Sequence, residues 1–153
     1  MIKVLFICRH NSARSQMAEA YLRQLGGDEF EVESAGIEPG ELNSYIIEVM
    51  KEDGIDISNH TTNDVFKFFQ EERRYDMIIS VCSPEVDRLC PIFPGKALRM
   101  NWPCADPSQF EGDREEVLAF IRPIRDEIKD KIESLIADYQ TKGLKLFLAE
   151  AEQ

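Results

Sequence analysis

The apolar residues of this chain form short continuous runs that alternate with stretches of helical spacing. Four of these runs predict β-strands, at residues 2–7, 30–34, 77–81 and 97–100. The first and third runs are apolar at nearly every position, which is typical of strands buried on both faces of a parallel sheet. The second run alternates between apolar and polar residues, and the fourth is the weakest of the set.

Capping residues and helical spacing predict helices between these strands. The first helix is expected over residues 15–25, where a pair of glycines closes it. Asn43 is expected to cap a second helix, which ends near residue 52. Thr61 or Thr62 is expected to cap a third helix, so that a helix follows each of the first two strands.

The second half of the chain contains one long helical pattern. It spans residues 114–139, where isoleucine and leucine recur at spacings of three and four. Pro123 lies inside this pattern and should start or kink the helix. The stretch 83–96 contains three prolines and is predicted to be mostly loop, with one helical turn near residues 85–89.

Strands that alternate with helices predict βαβ units and a parallel sheet with helices on both faces. We therefore expect an α/β fold, with a single domain over residues 1–140 and a four-stranded sheet in the order 2-1-3-4. Residues 141–153 are expected to be a separable tail, whose apolar residues dock on the domain or contact a second copy. Ligands of such sheets bind beyond the carboxyl ends of the strands, where the strand order reverses.

Charge and cysteine usage narrow the classes of function. The 153 residues include 29 acidic and 18 basic ones, a formal net charge of −11. This excess repels nucleic acid and anionic membranes, so neither is expected as a partner. No secretory signal or membrane-length apolar run is visible, which favours a cytoplasmic location. Because structural disulfides are rare there and no zinc-ligand spacing is present, the four cysteines need another role, and no metal site is expected.

The loop after the first predicted strand contains most of the candidate catalytic and binding residues of the chain. Its residues are Cys8, Arg9, His10, Asn11, Ser12, Ala13, Arg14 and Ser15. The N–H groups of a loop at a helix N-terminus can point to its centre and cradle a tetrahedral oxyanion. Arg14 adds a planar fork that binds two oxygens at once. We therefore predict that residues 9–15 bind an oxyanion substrate.

Cys8 is the candidate nucleophile, because a helix N-terminus and a nearby arginine favour the reactive thiolate. Ser15 can donate a hydrogen bond to its sulfur, and Asn11 can brace the loop. His10 is expected to fill the loop rather than act as a base or ligand. Arg9 is expected to point to solvent or to add positive charge at the mouth of the site.

Asp106 is the candidate proton donor. It precedes a proline in the loop after the fourth strand, on the same predicted sheet edge as Cys8. There it could protonate the oxygen that leaves when the thiolate attacks. Since an Asp-Pro pair alone indicates only a turn, this role depends on the Cys8 loop.

The sequence has five residues between Cys8 and the Arg14-Ser15 pair, and an Asp106-Pro107 pair far downstream. In this pattern it resembles the low-molecular-weight protein tyrosine phosphatase family. The likeness is greater to its thioredoxin-coupled arsenate reductase branch. The segments that carry this likeness are residues 11–19, 33–37, 54–61 and 125–128. The resemblance implies the four-stranded parallel sheet already expected from the pattern.

The resemblance covers about residues 2–136 and implies roles for two more cysteines. Phosphatases of this family need one cysteine, whereas the reductases use three, and Cys82 and Cys90 lie where the reductases place the others. The implied reaction is reduction of arsenate to arsenite through a disulfide relay of Cys8, Cys82 and Cys90. Thioredoxin or a similar thiol donor would reduce the final disulfide, Asp106 would donate the proton, and no cofactor is implied.

Several positions depart from the family pattern. His10 and Ala13 stand where many members carry glycine and cysteine, and no tyrosine follows the Asp-Pro pair, which counts against a phosphatase. Some members bind potassium, and here Asn63 stands in place of an expected aspartate. The matching potassium positions are Asn11, Glu19 and Ser34. Cys104 has no family role and is expected to be a packing residue.

Two other functions remain open. A phosphatase acting on phosphotyrosine or small phosphate esters would use Cys8, Arg14 and Asp106 alone, because phosphate and arsenate share shape and charge. An oxyanion-binding or redox-sensing module would use the thiols without turnover. The expected oligomeric state is a monomer or a weak homodimer.

Overall fold

A parallel sheet of four strands forms the centre of the fold, in the order β2-β1-β3-β4. The computed structural model describes the backbone of residues 1–151 and the side chains of residues 1–143. The strands are β1 (Ile2–Cys8), β2 (Phe30–Gly36), β3 (Met77–Ser80) and β4 (Leu98–Asn101). The predicted fold class, parallel arrangement and strand order are therefore confirmed.

The central position of β1 explains its continuous apolar sequence. It pairs with β2 from Ile2 to Cys8 and with β3 from Val4 to Ile7, so neither side is an edge. Alternate side chains point to opposite faces of a strand, and both faces of β1 are covered. Val4 and Phe6 lie in the larger apolar cluster, whereas Leu5 and Ile7 lie in the smaller one.

Helices cover both faces of the sheet. They are α1 (Arg14–Gly26), α2 (Ser44–Glu52), α3 (Val65–Gln70), α4 (Pro84–Asp87) and α5 (Arg114–Ala151), with 3-10 turns at Gly27–Glu29 and Pro107–Gln109. Helix α1 packs between the sheet and α5, and its Met17 and Leu22 are fully buried. None of the described helices combines the length and apolarity needed to cross a membrane.

The predicted cap of the third helix is wrong. Asp64, not Thr61 or Thr62, caps α3, because its carboxylate accepts a hydrogen bond from the Phe66 amide at 2.9 Å. Asp64 immediately precedes the first helical residue, which is the position from which a side chain reaches the free amides. The Thr62 hydroxyl instead donates to the Gly40 carbonyl, so it ties two loops together.

Pro123 neither starts α5 nor gives it a non-helical backbone. The helix begins at Arg114, where the Asp113 carboxylate accepts from the Glu116 amide at 2.9 Å. The non-helical residue is Gly143, whose φ of 74° is one that glycine adopts without strain. The prediction that the apolar tail docks or dimerises concerns side chains beyond Gly143, which lie outside the described residues.

Replacing Asp64 by Ala removes the acceptor for the first turn of α3 and should lower the free energy of unfolding by about 1 kcal/mol. Thr61→Ala removes an exposed side chain that caps nothing, so its unfolding free energy should stay within about 0.5 kcal/mol of the wild-type value. Urea unfolding followed by circular dichroism measures both variants. Equal losses would contradict the assignment of the cap to Asp64.

Candidate active site

The loop between β1 and α1 is held open by hydrogen bonds on its outer side. The carbonyls of Cys8, Arg9 and His10 accept from the amides of residues 37, 38 and 40, at 3.2, 2.8 and 3.0 Å. The Ser12 carbonyl accepts from the Asn43 amide at 3.0 Å. Because these carbonyls face outward, the N–H groups of the loop face its centre, which is the geometry that binds an oxyanion.

Gly36, at the end of β2, lets the loop approach the sheet. A Cβ atom at this position would lie 2.8 Å from both the Asn11 nitrogen and the His10 carbonyl carbon. Neither backbone atom can move without breaking the loop, so the contact requires glycine. The Ala-Gly pair that ends β2 is therefore part of the site.

Cys8 lies at the floor of the loop and is almost fully buried. Its sulfur is 2.9 Å from the Ser15 hydroxyl and accepts from the Asn11 amide at 3.1 Å. The Asn11 side-chain amide donates to the Ser15 oxygen at 2.7 Å, so the Ser15 hydrogen is left to donate to the sulfur. Two hydrogen-bond donors are therefore aimed at the Cys8 sulfur.

Asn11 has a left-handed backbone, with φ of 54°, which is uncommon for a residue other than glycine. Its side chain is held from two other segments of the chain. The Asn63 amide donates to its side-chain oxygen at 2.8 Å, and its own side-chain nitrogen donates to Ser34 at 2.9 Å. These contacts determine the conformation that turns the Asn11 amide toward Cys8.

Arg14 and Asp106 meet across the mouth of the loop. Arg14 is buried and donates to the Cys104 carbonyl at 3.1 Å, while its other terminal nitrogen is 3.8 Å from the Asp106 carboxylate. Burial disfavours the charged form of Asp106, but hydrogen bonds from the Ser108 hydroxyl and amide, together with Arg14, outweigh it. They hold the pKa of Asp106 below its usual value.

A cleft of about 200 Å³ opens beside this pair. The residues that line it are Arg9, Arg14, Cys82, Ser83, Val86, Cys104, Asp106 and Gln109. Two arginines and one carboxylate therefore face a space in which Cys82 also forms part of the wall. The structure thus brings the predicted proton donor and the second cysteine to the same opening as Arg14.

Cys82 and Cys90 lie at the two ends of a short helical segment after β3. Both are unpaired thiols; Cys82 is buried and Cys90 is half-buried. Burial raises the pKa of Cys82 to about 12, with further contributions from Cys90 and Cys8. Burial also raises the pKa of Cys90 to about 11, with Arg99 acting in the opposite direction and Asp87 in the same one. Both thiols are therefore protonated at neutral pH.

The remaining predicted residues form the rim and base of the loop. The His10 ring lies with Nδ1 2.8 Å from the Glu38 carbonyl, so this nitrogen carries the hydrogen. Arg9 is exposed and lies 3.9 Å from the Glu38 carboxylate. Ala13 is buried at the start of α1. Cys104 is buried in the larger apolar cluster, and burial raises its pKa to about 11.

Sequence reasoning missed the role of Gln16. Its side-chain nitrogen donates to the Asn11 and Thr61 carbonyls, both at 3.0 Å, and its oxygen accepts from the His60 ring at 2.9 Å. His60 in turn lies 3.5 Å from the Glu19 carboxylate. The spacing of these residues carried no signal for this network, because the partners come from segments far apart in the chain.

The positions that match the potassium site do not suit a cation. The side-chain nitrogens of Asn11 and Asn63 both donate to Ser34, the first to its hydroxyl and the second to its carbonyl. Glu19 faces His60 and Arg23. Amide donors thus stand where a cation needs free oxygens. Elsewhere in the described part of the chain, no three His, Cys, Asp or Glu side chains are placed to hold a metal ion.

A buried cysteine at the floor of a loop with inward-facing amides, on a sheet of this order, defines a class of phosphatase-like proteins. The chain belongs to the family described as low molecular weight phosphotyrosine protein phosphatase, which matches residues 3–145. The resemblance predicted from the Cys8 loop and the Asp106-Pro107 pair is therefore confirmed.

Relatives within this family carry the name of the predicted branch. Arsenate reductase of Bacillus subtilis is 40% identical over 129 residues, which cover 84% of this chain and 91% of that protein. The solved structure of an arsenate reductase in the oxidized state has a TM-score of 0.73 at 34% identity, over 90% of this chain and 98% of the other. A thioredoxin-dependent arsenate reductase of Corynebacterium glutamicum has a TM-score of 0.59 at 30% identity, over 87% and 62%.

The close approach of Gly36 gives a direct test of the site. Gly36→Ala should push the loop outward and lower the rate of Cys8 alkylation or phosphate-ester cleavage by at least about 100-fold, since small misplacements of catalytic groups have effects of this size. Gly40→Ala is the matched control, because its Cβ would lie 3.6 Å from the His10 Cβ, an ordinary contact. Similar rates in the two variants would show that the loop tolerates the displacement.

Proposed function

We propose that this protein reduces arsenate to arsenite, with Cys8 as the nucleophile and Cys82 and Cys90 as successive attacking thiols. The observation that supports this most is the position of Cys82, which lines the cleft beside Arg14 and has both Cys8 and Cys90 close enough to raise its pKa. The names of the relatives support the same reaction. A cytoplasmic location, where thiols are kept reduced, suits this chemistry.

In the first step the loop N–H groups and Arg14 hold the arsenate, and the Cys8 thiolate attacks the arsenic. A sulfur–arsenic bond forms and one arsenic–oxygen bond breaks, with Asp106 protonating the oxygen that leaves. In the free site the pKa of Asp106 is low, so its carboxyl is ionised. A bound oxyanion engages Arg14 and adds negative charge beside Asp106, and both changes favour the protonated carboxyl that this step needs.

In the second step Cys82 gives its proton to an oxygen of the arsenic adduct, and its sulfur attacks the Cys8 sulfur. The sulfur–arsenic bond breaks and its electron pair stays on arsenic, which is reduced from the +5 to the +3 state. Arsenite leaves, and Cys8 and Cys82 become a disulfide. Cys82 is well placed for this attack, since it lies two residues beyond Ser80, the partner of Ile7 in the β1–β3 pairing.

In the third step the Cys90 thiolate attacks Cys82, and Cys8 leaves as a thiolate that Ser15 and Asn11 stabilise. A Cys82–Cys90 disulfide remains, and an external dithiol protein returns two electrons to it. We propose thioredoxin or a close equivalent, which the name of the Corynebacterium glutamicum relative supports. For this disulfide to form, the Cα atoms of the two cysteines must lie within about 7 Å of each other.

Phosphate monoester hydrolysis is the second candidate function. Cys8, Arg14 and Asp106 form a complete set for it, and the family takes its name from phosphotyrosine phosphatases. The residue after the Asp106-Pro107 pair argues against an efficient phosphatase, since Ser108 stands where the phosphatases carry a tyrosine. We therefore expect slow ester cleavage as a side reaction of the same loop.

Replacing either of the later relay cysteines separates the two functions. Cys82→Ser and Cys90→Ser should each abolish multiple turnover of arsenate with thioredoxin, because one disulfide exchange is lost. Both variants should retain slow cleavage of p-nitrophenyl phosphate, since Cys8, Arg14 and Asp106 are unchanged. Cys104→Ser is the control and should retain arsenate turnover within about threefold. Normal turnover by both relay variants would refute the relay.

The pairing of thiols after one turnover tests the mechanism without a reductase. Wild-type protein mixed with arsenate alone should lose two thiols, and peptide mass spectrometry should find Cys82 joined to Cys90. Four free cysteines after this treatment would favour the phosphatase. A lasting adduct on Cys8 would instead favour a binding or sensing module.

A further inference from the structure

We propose that Arg99 is a positioning residue that makes Cys90 the terminal thiol of the relay. Its guanidinium bridges the two sides of the segment that carries Cys90 and lies beside the thiol itself. The inference rests on the proposed reduction of arsenate, in which Cys90 makes the last attack. It assigns a role to a residue that neither the oxyanion loop nor the proton donor involves.

The strand register places Arg99 on the same face of the sheet as Cys90. Arg99 pairs with Ile78 of β3, and Ile78 belongs to the smaller apolar cluster. Cys90 packs against that same cluster. The Arg99 side chain therefore extends from β4 toward the segment after α4, and the pairing of β4 with β3 holds its backbone in place.

The guanidinium of Arg99 contacts the segment on both sides of Cys90. One terminal nitrogen lies 3.4 Å from the Asp87 carboxylate and the other lies 3.4 Å from the Pro91 carbonyl. The Cys90 amide donates to the Asp87 carbonyl at 3.1 Å, so the turn between these two contacts is itself closed. A planar fork suits two acceptors at a fixed separation, whereas a lysine would reach one.

The charged groups that act on Cys90 come from three elements. Arg99 on β4 lowers the pKa of the thiol, while Asp87 on α4 and Cys8 at the end of β1 raise it, and burial raises it most. Arg99 thus lowers the pKa of Cys90 through its positive charge, as Arg14 lowers the pKa of Cys82. Since Asp87 pairs with Arg99, the effect of the arginine is partly cancelled in the resting protein.

This arrangement gives Arg99 a defined part in the third step. Attack on Cys82 requires Cys90 to lose its proton. When the pH is far below the pKa of a thiol, the thiolate fraction falls tenfold for each unit by which the pKa rises. The positive charge of Arg99 stabilises the Cys90 thiolate, and Asp87 offsets part of that effect.

Two neutral substitutions test whether Arg99 acts on Cys90 through its charge or only holds the segment in place through its hydrogen bonds. If Arg99 acts through its charge, Arg99→Gln raises the pKa of Cys90 and Asp87→Asn lowers it. If Arg99 only fastens the segment, each substitution loosens it, exposes Cys90 and lowers the pKa. The direction of the Arg99→Gln effect therefore separates the two explanations.

The experiment is the pH dependence of Cys90 alkylation by iodoacetamide, followed by peptide mass spectrometry on the full chain. We expect Arg99→Gln to react about three- to tenfold more slowly than wild type between pH 8 and 10, and Asp87→Asn to react faster by a similar factor. Arg99→Lys keeps the charge but reaches only one of the two acceptors, so its rate should lie between those of wild type and Arg99→Gln. Arg88→Gln, an exposed neighbour on the same segment, is the matched control and should change the rate less than about twofold.

A second measurement follows one turnover with arsenate, quenched with acid at successive times. Arg99→Gln should accumulate the Cys8–Cys82 disulfide, because the exchange that consumes it is slowed. Faster alkylation in Arg99→Gln, or equal rates in all variants, would overturn the role of Arg99. If wild-type protein forms no Cys82–Cys90 disulfide, the proposed reductase fails instead, and the alkylation profile still decides whether Arg99 governs the ionisation of Cys90.

Discussion

The site depends on the left-handed backbone of Asn11. This conformation costs on the order of 1–3 kcal/mol in a residue other than glycine. Three hydrogen bonds of Asn11 offset that cost at about 1 kcal/mol each. Asn11 accepts two of them, from Asn63 and Gln16, and donates the third to Ser34. The same turn directs the Asn11 amide at the Cys8 sulfur and leaves the Ser15 hydrogen for it, so the nucleophile and the cradle share one origin.

Local charge and overall charge oppose each other in this molecule. The formal net charge of −11 works against the capture of any anion. The loop opposes this charge locally with a buried arginine, inward-facing amides and the N-terminus of α1. Asp106 beside Arg14 adds one negative charge. The positive potential of the site therefore comes from these local groups and not from a broadly positive surface.

The sequence predicted those parts of the structure that depend on contiguous residues. The parallel sheet followed from short apolar runs that alternate with helical patterns, and the oxyanion loop followed because its residues are adjacent. The cap of α3 was misassigned because Thr61, Thr62 and Asp64 all have capping side chains, and a tertiary bond takes Thr62 elsewhere. The Gln16–His60 network escaped prediction, since its partners come together only when α1 packs beside the segment before α3.

Cys82 and Cys90 differ in how closely the sheet holds them. Cys82 lies two residues beyond a central strand whose neighbour ends at Cys8, whereas Cys90 lies beyond a four-residue helix. Both thiols are uncharged at rest, and an uncharged thiol reacts slowly with peroxides and disulfides. The surroundings of these two cysteines therefore protect both thiols from oxidation in the resting protein.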